Sequence, residues 1–368
     1  MTESTGWKGH AMHAPIFDTL RDGGFKKVVL CNDTRTGLRA VIAIHSTLLG
    51  PATGGVRFWP YHDEQAAIAD AMRLARGMTY KYAIAGINLG GGKAVIIGDP
   101  RTDKSEALLR AFGRFVDQQG GEYISGEDVG TTLADMEVIR TETPHIVTLP
   151  EWAGGVGDIS PATARGAVHA TRAAAQRAWG DPSLKGRRVA LQGLGVVGEK
   201  ALKMLLDEGA EVTVTDIDPD KTSRITEQYG VTAVAPDAIY DLDVDIFAPY
   251  ALGAVINDTT IPRLKAKVVA GAANNILAEP RHGHELQRRG IVYAVDYVAN
   301  GGGTILDTDR LRESGFNPQR AWANVEKIFD RTLQVFALAD KLNIGFQDAA
   351  DRLAEERLAA LIPVRLLR

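Results

Sequence analysis

The sequence feature that most constrains the fold is the glycine pattern at residues 193–198, which read Gly-Leu-Gly-Val-Val-Gly. An apolar run, Arg188 to Gln192, predicts a strand before it, and residues 199–208 predict a helix after it. A second predicted strand, Glu211 to Thr215, leads into Asp216. A strand, this glycine pattern, a helix and an acid about twenty residues on are the context of a dinucleotide-binding unit with a parallel sheet.

Each glycine of this pattern has a separate predicted task. Gly193 allows the tight turn, Gly195 lets the backbone approach a pyrophosphate, and Gly198 lets the helix pack closely on the strand. Val196 and Val197 lie within this pattern, and the N-terminus of the following helix would offer backbone N–H groups and a positive partial charge to the phosphates. The alternative is a turn that uses glycine for conformational freedom alone.

Asp216 predicts which dinucleotide is bound. Its carboxylate would hydrogen-bond the adenosine ribose hydroxyls and repel a 2′-phosphate, which favours NAD over NADP. A phosphate loop of the triphosphatase type is excluded at the other glycine run, Gly90 to Lys93. There, Ile87 stands where that motif has its first glycine, and Ala94 stands where it has a serine or threonine.

Two lysines, Lys81 and Lys93, need an explanation beyond solubility. The segment from Gln65 has apolar residues at helical spacing and predicts a helix to about Lys81, with Asp63 as N-cap. Lys81 then falls on the apolar stripe, and three glycines followed by an apolar run predict a loop that delivers Lys93 onto a buried strand. A lysine aimed at a core must find an anion or lose its proton, unless its long side chain reaches solvent.

Composition limits the class of protein. The chain has 368 residues, enough for two domains, and 24% charged with 45% hydrophobic residues, an ordinary globular mixture. The net charge of −4 does not indicate binding to nucleic acid or to an anionic membrane. The single cysteine, Cys31, excludes an internal disulfide and predicts a small buried hydrophobe. Without a leader-like segment or an apolar run of about 18 residues, we expect a cytoplasmic protein.

The order of elements predicts an α/β fold with two domains. A hairpin over 26–45 opens the first, and a long helix over 319–340 and a helix over 346–360 close the chain. Residues 150–160, rich in glycine, predict a hinge, with a surface loop as the alternative.

Beyond these patterns, seven motifs resemble those of the dehydrogenases that act on leucine, valine, phenylalanine and glutamate, and the resemblance runs from about Ile16 to the end. Around the dinucleotide pattern, in chain order, stand the following matching stretches: Leu49–Arg57, Gly77–Lys81, Gly90–Lys93, Glu127–Gly130, Ser160–Ala164, Gly271–Asn275 and Tyr297–Asn300. The first of them looks like the family's glycine-rich substrate loop. The resemblance implies a substrate-binding and oligomerisation domain over 1–150 with about 325–368 returning to it. It also implies a Rossmann NAD-binding domain over 151–324, with a cleft between the two.

The same resemblance implies roles for single residues. Lys81 would bind the substrate carboxylate, and Asp128 would move protons to and from the amino nitrogen. Lys93 would activate water with a pKa lowered by burial and by the nearby Lys81. The further residues implied for the substrate are Thr53, Gly54, Met78, Gly126, Asn300, Thr304 and Asp307, and those for the cofactor are Thr163, Ala248 and Asn274. No metal is implied, because Lys93 polarises the reacting oxygen.

Substrate preference is where the match loosens. Glutamate enzymes of this kind place a lysine where this chain has Thr53, so a buried acidic side chain would stay unpaired here. Gly126 resembles the phenylalanine enzymes, whereas leucine enzymes have alanine there. Thr304 and Asp307 stand where apolar residues are usual, so either Asp307 pairs with Arg310 or the pocket accepts a polar or cationic side chain.

Three classes of function therefore remain to be compared. The first is an NAD-dependent enzyme that reversibly deaminates a hydrophobic L-amino acid of the leucine or valine type to a 2-oxo acid and ammonia, as a homo-oligomer. The second is a non-catalytic NAD-binding regulator, against which Lys81, Lys93 and Asp128 argue together. The third is a 2-hydroxy-acid dehydrogenase, which needs a histidine–carboxylate pair, yet His282 and His284 lie in a polar segment that predicts surface positions.

Overall fold

The computed structural model describes residues 16–251 and 253–365. The described chain forms two compact units. The first contains the residues up to Gly157 together with those from Glu355 onward, and the second runs from Asp158 to Ala354. The boundary at Gly157 falls inside the predicted hinge segment, where Gly154 and Gly157 both have positive φ.

The first unit is built on a five-stranded sheet with the strand order β1-β2-β4-β3-β5. Its elements up to the hinge are α1 (Ile16–Gly23), β1 (Lys27–Asp33), β2 (Leu38–Ser46), β3 (Ala52–Trp59), α2 (Glu64–Ile84), β4 (Gly90–Ile97), α3 (Glu106–Asp117), β5 (Tyr123–Glu127) and α4 (Leu133–Arg140). The β1–β2 hairpin is antiparallel as predicted, and β2 also pairs antiparallel with β4. β3 lies between β4 and β5 and runs parallel to both.

Two glycine-rich segments of this sheet were wrongly expected to be loops, because glycine is also used in strands that pack closely. The segment expected as a glycine-rich substrate loop is strand β3, and the glycines Gly90 to Gly92 belong to strand β4. Their missing side chains make room for neighbouring protein atoms. A Cβ on Gly92 would lie 2.7 Å from the Tyr123 ring, and one on Gly91 would lie 2.1 Å from Thr79 Oγ1. Glycine therefore permits close packing of this sheet.

Helices cover both faces of the sheet. On one face α2 packs through Ala67, Ala71 and Ala75 against β2 and β4. Its N-cap is Asp63, as predicted, whose carboxylate accepts the Ala66 N–H at 2.7 Å. The other face holds the larger core with α3, and it includes Cys31, which is buried as expected. Burial raises the pKa of the Cys31 thiol to about 12.

The second unit carries the predicted parallel sheet. Its elements are α5 (Ser160–Trp179), β6 (Arg188–Gln192), α6 (Val196–Asp207), β7 (Glu211–Thr215), α7 (Pro219–Tyr229), β8 (Thr232–Ala233), β9 (Ile246–Pro249), β10 (Val268–Val269), α8 (Pro280–Arg288), β11 (Val292–Tyr293), α9 (Asp296–Ala299), α10 (Gly302–Thr308), α11 (Pro318–Glu326), α12 (Ile328–Leu342) and the part of α13 (Phe346–Arg365) that precedes Glu355. The strand order β11-β10-β9-β6-β7-β8, with every pair parallel, is that of the doubly wound dinucleotide fold. The predicted two-domain α/β class is confirmed.

The end of the chain returns to the first unit later than the sequence predicts. We expected the return at about residue 325, but it occurs at Glu355, within α13. The single helix predicted over 319–340 is two helices, and the second of them, α12, packs on α5 in the second unit. Arg177 and Asp340 add an ion pair of 2.8 Å between these helices. Among the described residues, no helix is both long and apolar enough to cross a membrane.

Candidate active site

Lys93 and Asp128 form a buried ion pair in the first unit. The Lys93 ammonium lies 3.0 Å from Oδ1 of Asp128, and the exposed fractions of the two side chains are 6% and 19%. Lys93 is in the middle of β4, and Asp128 directly follows β5. A buried ammonium with one carboxylate partner at this distance is a pair between which a proton can move.

The pair forms because strand β3 between them carries a glycine. In the registers of β3 with its two neighbours, Gly55 is level with Lys93 on β4 and with Gly126 on β5. A Cβ on Gly55 would lie 2.4 Å from the Glu127 carbonyl oxygen and 2.9 Å from Cβ of Asp128. Gly55 therefore leaves the space through which Asp128 approaches Lys93.

Arg57 connects this pair to a second carboxylate. Its Nε donates to Oδ2 of Asp128 at 2.9 Å, and its Nη1 donates to Oδ2 of Asp70, on α2, also at 2.9 Å. Asp70 in turn accepts hydrogen bonds from the Tyr61 hydroxyl at 2.7 Å and from Arg73 at 2.6 Å. The result is a chain of alternating charges from Lys93 through Asp128, Arg57 and Asp70 to Arg73.

The pKa values of Lys93 and Asp128 both lie below their ordinary values, for different reasons. Burial lowers the pKa of the Lys93 ammonium, Asp128 opposes that shift, and the positive charge of Arg57 adds to it. Arg57 is bound to the same carboxylate as Lys93, and the contribution expected from Lys81 stays a prediction. Burial alone would raise the pKa of Asp128, but the charges of Lys93 and Arg57 together bring it below its ordinary value.

The other residues expected to bind substrate in this unit lie around β3. Thr53 is fully buried on β3, and Met78 is half-buried on α2. A Cβ on Gly54 would lie 1.9 Å from the Gly92 carbonyl oxygen and 3.2 Å from Cγ of Met78. Lys81 is half-buried in the last turn of α2.

Gly126 has filled space beside it. A Cβ at this position would lie 2.6 Å from Oγ1 of Thr148 and 2.9 Å from Cγ1 of Val147. The segment 147–148 therefore occupies the volume that an alanine side chain would take.

In the second unit, the glycine loop fits a dinucleotide phosphate. Gly193 has φ +101°, and a Cβ there would lie 2.7 Å from Ala251, while a Cβ on Gly198 would lie 2.0 Å from the Gly193 carbonyl oxygen. These two glycines serve the turn and the packing, as predicted. Gly195 differs, because among the described residues, its own chain neighbours apart, no atom lies within 4 Å of the position of its Cβ. Helix α6, which opens with Val196 and Val197, has no side chain capping its N-terminus.

Asp216 follows β7 beside this loop. Its Oδ2 accepts the Leu194 N–H at 2.6 Å, and its Oδ1 accepts the Asp218 N–H at 3.0 Å. Lys221 is 4.0 Å from Oδ1. Each carboxylate oxygen has a second lone pair, so Asp216 can hold the loop and still accept hydrogen bonds from two ribose hydroxyls.

Two of the remaining predicted residues, Asn300 and Asn274, are joined by a hydrogen bond, and a third, Thr163, packs beside Gly303. Nδ2 of Asn300 donates to Oδ1 of Asn274 at 2.8 Å, and its own Oδ1 is buried with no hydrogen-bond partner among the described residues. A Cβ on Gly303 would lie 2.4 Å from Oγ1 of Thr163, so the start of α10 packs on the start of α5. Of the rest of the predicted set, Ala248 is buried on β9, Thr304 is half-buried on α10, and Asp307 is buried on the same helix.

His282 was wrongly expected at the surface. It is 2% exposed in the first turn of α8, where its Nδ1 accepts the Glu279 N–H at 3.0 Å. Its Nε2 therefore carries the ring proton and donates to Asp258 at 3.3 Å. The polar sequence misled because this histidine completes a helix cap. His284 is exposed, as predicted.

Sequence reasoning missed Gly55, Arg57 and Asp70. The signal was present in the alternation of strand residues. If residues 52–59 had been assigned to a strand, Thr53, Gly55 and Arg57 would have fallen on one face, next to the face of β4 that carries Lys93. Asp70 carried no comparable signal, because a single acid on a helix predicts solvent contact.

Comparison with known proteins agrees with this geometry. Residues 26–145 match the family described as Glu/Leu/Phe/Val dehydrogenase, dimerisation domain, and residues 154–231 and 216–309 match the family described as Glutamate/Leucine/Phenylalanine/Valine dehydrogenase. The leucine dehydrogenase of Geobacillus stearothermophilus is 51% identical over 350 residues, 95% of each chain. The valine dehydrogenase of Streptomyces coelicolor is 50% identical over 366 residues, 99% of this chain and 100% of that one.

Solved structures give the same result. The crystal structure of L-tryptophan dehydrogenase from Nostoc punctiforme superposes with a TM-score of 0.81 at 42% identity, covering 94% of this chain and 99% of that one. The family's dehydrogenases use NAD(P) and act on the CH–NH2 group of amino acids, and its N-terminal domain forms oligomers. The chain belongs to the glutamate/leucine/phenylalanine/valine dehydrogenase family and is an amino-acid dehydrogenase.

Proposed function

We propose that this enzyme catalyses the reversible, NAD-dependent oxidative deamination of a hydrophobic L-amino acid of the leucine or valine type. The amino acid, NAD⁺ and water give the 2-oxo acid, ammonium, NADH and one proton. The first unit would serve as the substrate-binding and oligomerisation domain, and the second as the NAD-binding domain. The observation that carries the proposal is the buried Lys93–Asp128 pair at 3.0 Å with Arg57 beside it.

The two members of the pair would do different work. Asp128 would take a proton from the substrate ammonium before oxidation and return a proton to the nitrogen before ammonia leaves. Lys93, with its lowered pKa, would be neutral in part of the population and take a proton from the water that attacks Cα. Lys81 would hold the substrate carboxylate by opposite charge.

The bound dinucleotide supplies the hydride acceptor for the substrate Cα. Gly195 and the uncapped N-terminus of α6 would hold its phosphates, since the space beside Gly195 is open. Asp216 supports NAD over NADP, because its carboxylate would lie against a 2′-phosphate. Thr163, Ala248 and Asn274 would contact the cofactor, and the unpartnered Oδ1 of Asn300 would accept a hydrogen bond from substrate or cofactor.

The leucine or valine preference rests on the relatives named above. Phenylalanine is the alternative that Gly126 suggests, but the volume beside Gly126 is filled by Val147 and Thr148, which weakens the argument for a deeper pocket. Asp307 is buried, and both alternatives for it stay open: it pairs with Arg310, or the pocket accepts a polar or cationic side chain. Thr53 gives an acidic side chain no cation to pair with.

The other classes of function have less support. A 2-hydroxy-acid dehydrogenase would need a histidine that exchanges a proton with substrate, and both ring nitrogens of His282 are engaged in the α8 cap. A non-catalytic regulator would have no need of the buried Lys93–Asp128 pair, since replacing such a pair by apolar residues commonly stabilises a protein.

We further propose that the enzyme is a homo-oligomer. β1 is the edge strand of its sheet, and Leu30 on that strand is 68% exposed. An exposed, apolar edge strand favours pairing with a second chain.

The test is NADH formation by the purified protein with each of the twenty L-amino acids, at pH about 10, where more of the substrate amine is deprotonated. We expect leucine or valine to give the highest kcat/KM. The highest kcat/KM with phenylalanine would support the phenylalanine alternative. The highest kcat/KM with a polar or basic amino acid would assign Asp307 to the pocket. Binding of NAD without turnover of any amino acid would contradict the proposed function. Ammonia dependence of the reverse reaction separates deamination from hydroxy-acid oxidation.

A further inference from the structure

The two carboxylate oxygens of Asp128 have different partners. Oδ1 meets the Lys93 ammonium at 3.0 Å, and Oδ2 meets Nε of Arg57 at 2.9 Å. The backbone of Asp128 is also fixed, because its N–H donates to Oγ1 of Thr131 at 2.9 Å. The carboxylate therefore has one defined orientation.

Arg57 is itself held from its far side. While Nε binds Asp128, Nη1 binds Asp70, so the planar guanidinium spans two carboxylates. Tyr61 and Arg73 fix Asp70 in turn. The Arg57 side chain is 18% exposed, which limits screening of its charge by water. No turn of the Asp128 carboxylate can exchange its oxygens without breaking this bridge.

We propose that Arg57, anchored by Asp70, is a positioning residue that holds Oδ2 of Asp128 and leaves Oδ1, beside Lys93, as the atom that exchanges protons. The proposal rests on the proposed function, in which Asp128 and Lys93 act on the amino acid. Arg57 is not itself a proton carrier, because a guanidinium stays charged throughout the working pH range.

The charges around the pair give this proposal a sign that can be measured. The groups that bear on Lys93 are Asp128 after β5, Arg57 on β3, and Asp70 with Arg73 on α2. Arg57 lowers the pKa of Lys93, and Asp70 raises it. Three further groups lie on neighbouring elements: Lys81 on α2, Tyr123 on β5 and His45 on β2. Burial keeps Tyr123 and His45 uncharged at pH 7 to 10.

Two substitutions should shift the activity profile in opposite directions. Arg57→Gln removes a positive charge beside Lys93, so the acid limb of the kcat/KM–pH profile should move up by about one pH unit. Asp70→Asn leaves Arg57 without its counter-charge, so the limb should move down by about half a unit. A residue needed only for folding would not give shifts of opposite sign.

A third substitution separates charge from geometry. Arg57→Lys keeps the charge but cannot bridge two carboxylates as a planar fork does. We expect the acid limb to stay within about 0.3 units of the wild type and kcat to fall about tenfold. Arg101→Gln is the matched control, because it removes an exposed arginine paired only with Asp99 in the same unit. It should change neither quantity.

A measurement without turnover keeps the test independent of the proposed function. Competitive acetylation of Lys93 with trace acetic anhydride, followed by mass spectrometry, reports the pKa of Lys93 directly. The same opposite shifts are expected for Arg57→Gln and Asp70→Asn. If the wild type deaminates amino acids but both variants keep its kcat within twofold and its pH limb within about 0.3 units, the role of Arg57 is refuted. If no amino acid is turned over, the proposed function fails, and the acetylation shifts still decide whether Arg57 and Asp70 set the charge of Lys93.

Discussion

Gly55 in the first unit and Gly195 in the second both sit in glycine-rich motifs, but they make room for different things. The position of a Cβ on Gly55 is taken by the Glu127 carbonyl oxygen and by Asp128. The position of a Cβ on Gly195 is open. The first glycine lets the protein bring its own groups together, and the second leaves space that a ligand can fill. A glycine motif therefore indicates close approach, and only the structure tells which partner approaches.

The largest effect is expected at the pair that Gly55 brings together. Lys93→Gln and Asp128→Asn should each lower kcat about 10³- to 10⁴-fold, because each removes a proton carrier. The dissociation constant for NAD should stay within about twofold of the wild type, since the glycine loop is untouched. Initial-rate kinetics and fluorescence titration with NAD measure the two quantities. Lys203→Gln, at an exposed lysine of the second unit, is the control, and full activity in either pair variant would contradict the assignment.

The two glycines themselves provide the next test. Gly55→Ala should lower the free energy of unfolding by about 2–3 kcal/mol and reduce kcat, because a methyl group cannot enter without moving Asp128. Gly195→Ala should leave stability within about 0.5 kcal/mol and instead weaken NAD binding about tenfold or more, because its methyl group would lie in the phosphate space. Denaturant unfolding and NAD titration of both variants measure this. Equal effects of the two substitutions on both properties would remove the contrast between the motifs.

A pH effect on stability is expected from His45, on β2. Nε2 of His45 donates to the Gly23 carbonyl oxygen at 3.2 Å, and its Nδ1 lies within hydrogen-bond distance of Oγ1 of Thr79, at 2.8 Å. Burial, with a smaller contribution from the Arg76 charge, lowers the pKa of His45 from 6.5 to about 4. The unfolded chain therefore binds a proton below pH about 6.5 that the folded chain refuses, and stability should fall by about 2–3 kcal/mol as pH drops toward 4.

Urea unfolding between pH 4 and 7 measures that slope. His45→Gln should flatten it, while His284→Gln, at an exposed histidine of the second unit, should leave it unchanged. An unchanged slope in His45→Gln would assign the pH dependence to other groups.

The smallest effect is expected in cofactor discrimination. Asp216→Asn keeps the size of the side chain and an acceptor for the Leu194 N–H but removes the charge. The preference for NAD over NADP should fall about tenfold, because a 2′-phosphate no longer meets an anion. The ratio of kcat/KM values for the two cofactors measures it. Asp218→Asn is the matched control at the N-cap of α7, where asparagine caps equally well. A wild-type enzyme that prefers NADP would contradict this role of Asp216.

The dinucleotide-binding segment of the second unit, from β6 to Asp216, could be predicted from sequence almost completely. Strand, glycine loop, helix and Asp216 follow one another along the chain, so local patterns determine where the dinucleotide residues lie. The first unit was predicted less well, because its site depends on pairing between distant strands. Glycines in β3 and β4 imitate a loop locally, and only the sheet register shows Gly55 between Lys93 and Asp128.

The charge network was also beyond sequence reasoning. Lys93 and Asp128 were identified through a family resemblance, but the bridge from Asp128 through Arg57 to Asp70 was not. Arg57 follows the glycines by two residues and carries no sign that both of its nitrogens bind buried carboxylates. Charges on separate elements interact through space, so their effect on a pKa depends on the tertiary structure.

Burial and the charge of Arg57 let Lys93 lose its proton more easily than an ordinary lysine. The most direct measurement is competitive acetylation of the wild-type enzyme from pH 6 to 11, with Lys203 as internal reference. Lys203 is exposed, and its hydrogen bond to Asp207 raises its pKa. We expect Lys93 to titrate at a lower pH than Lys203 and below the ordinary lysine value of 10.5. Titration of Lys93 at the same pH as Lys203, or at a higher pH, would contradict a lowered pKa of Lys93.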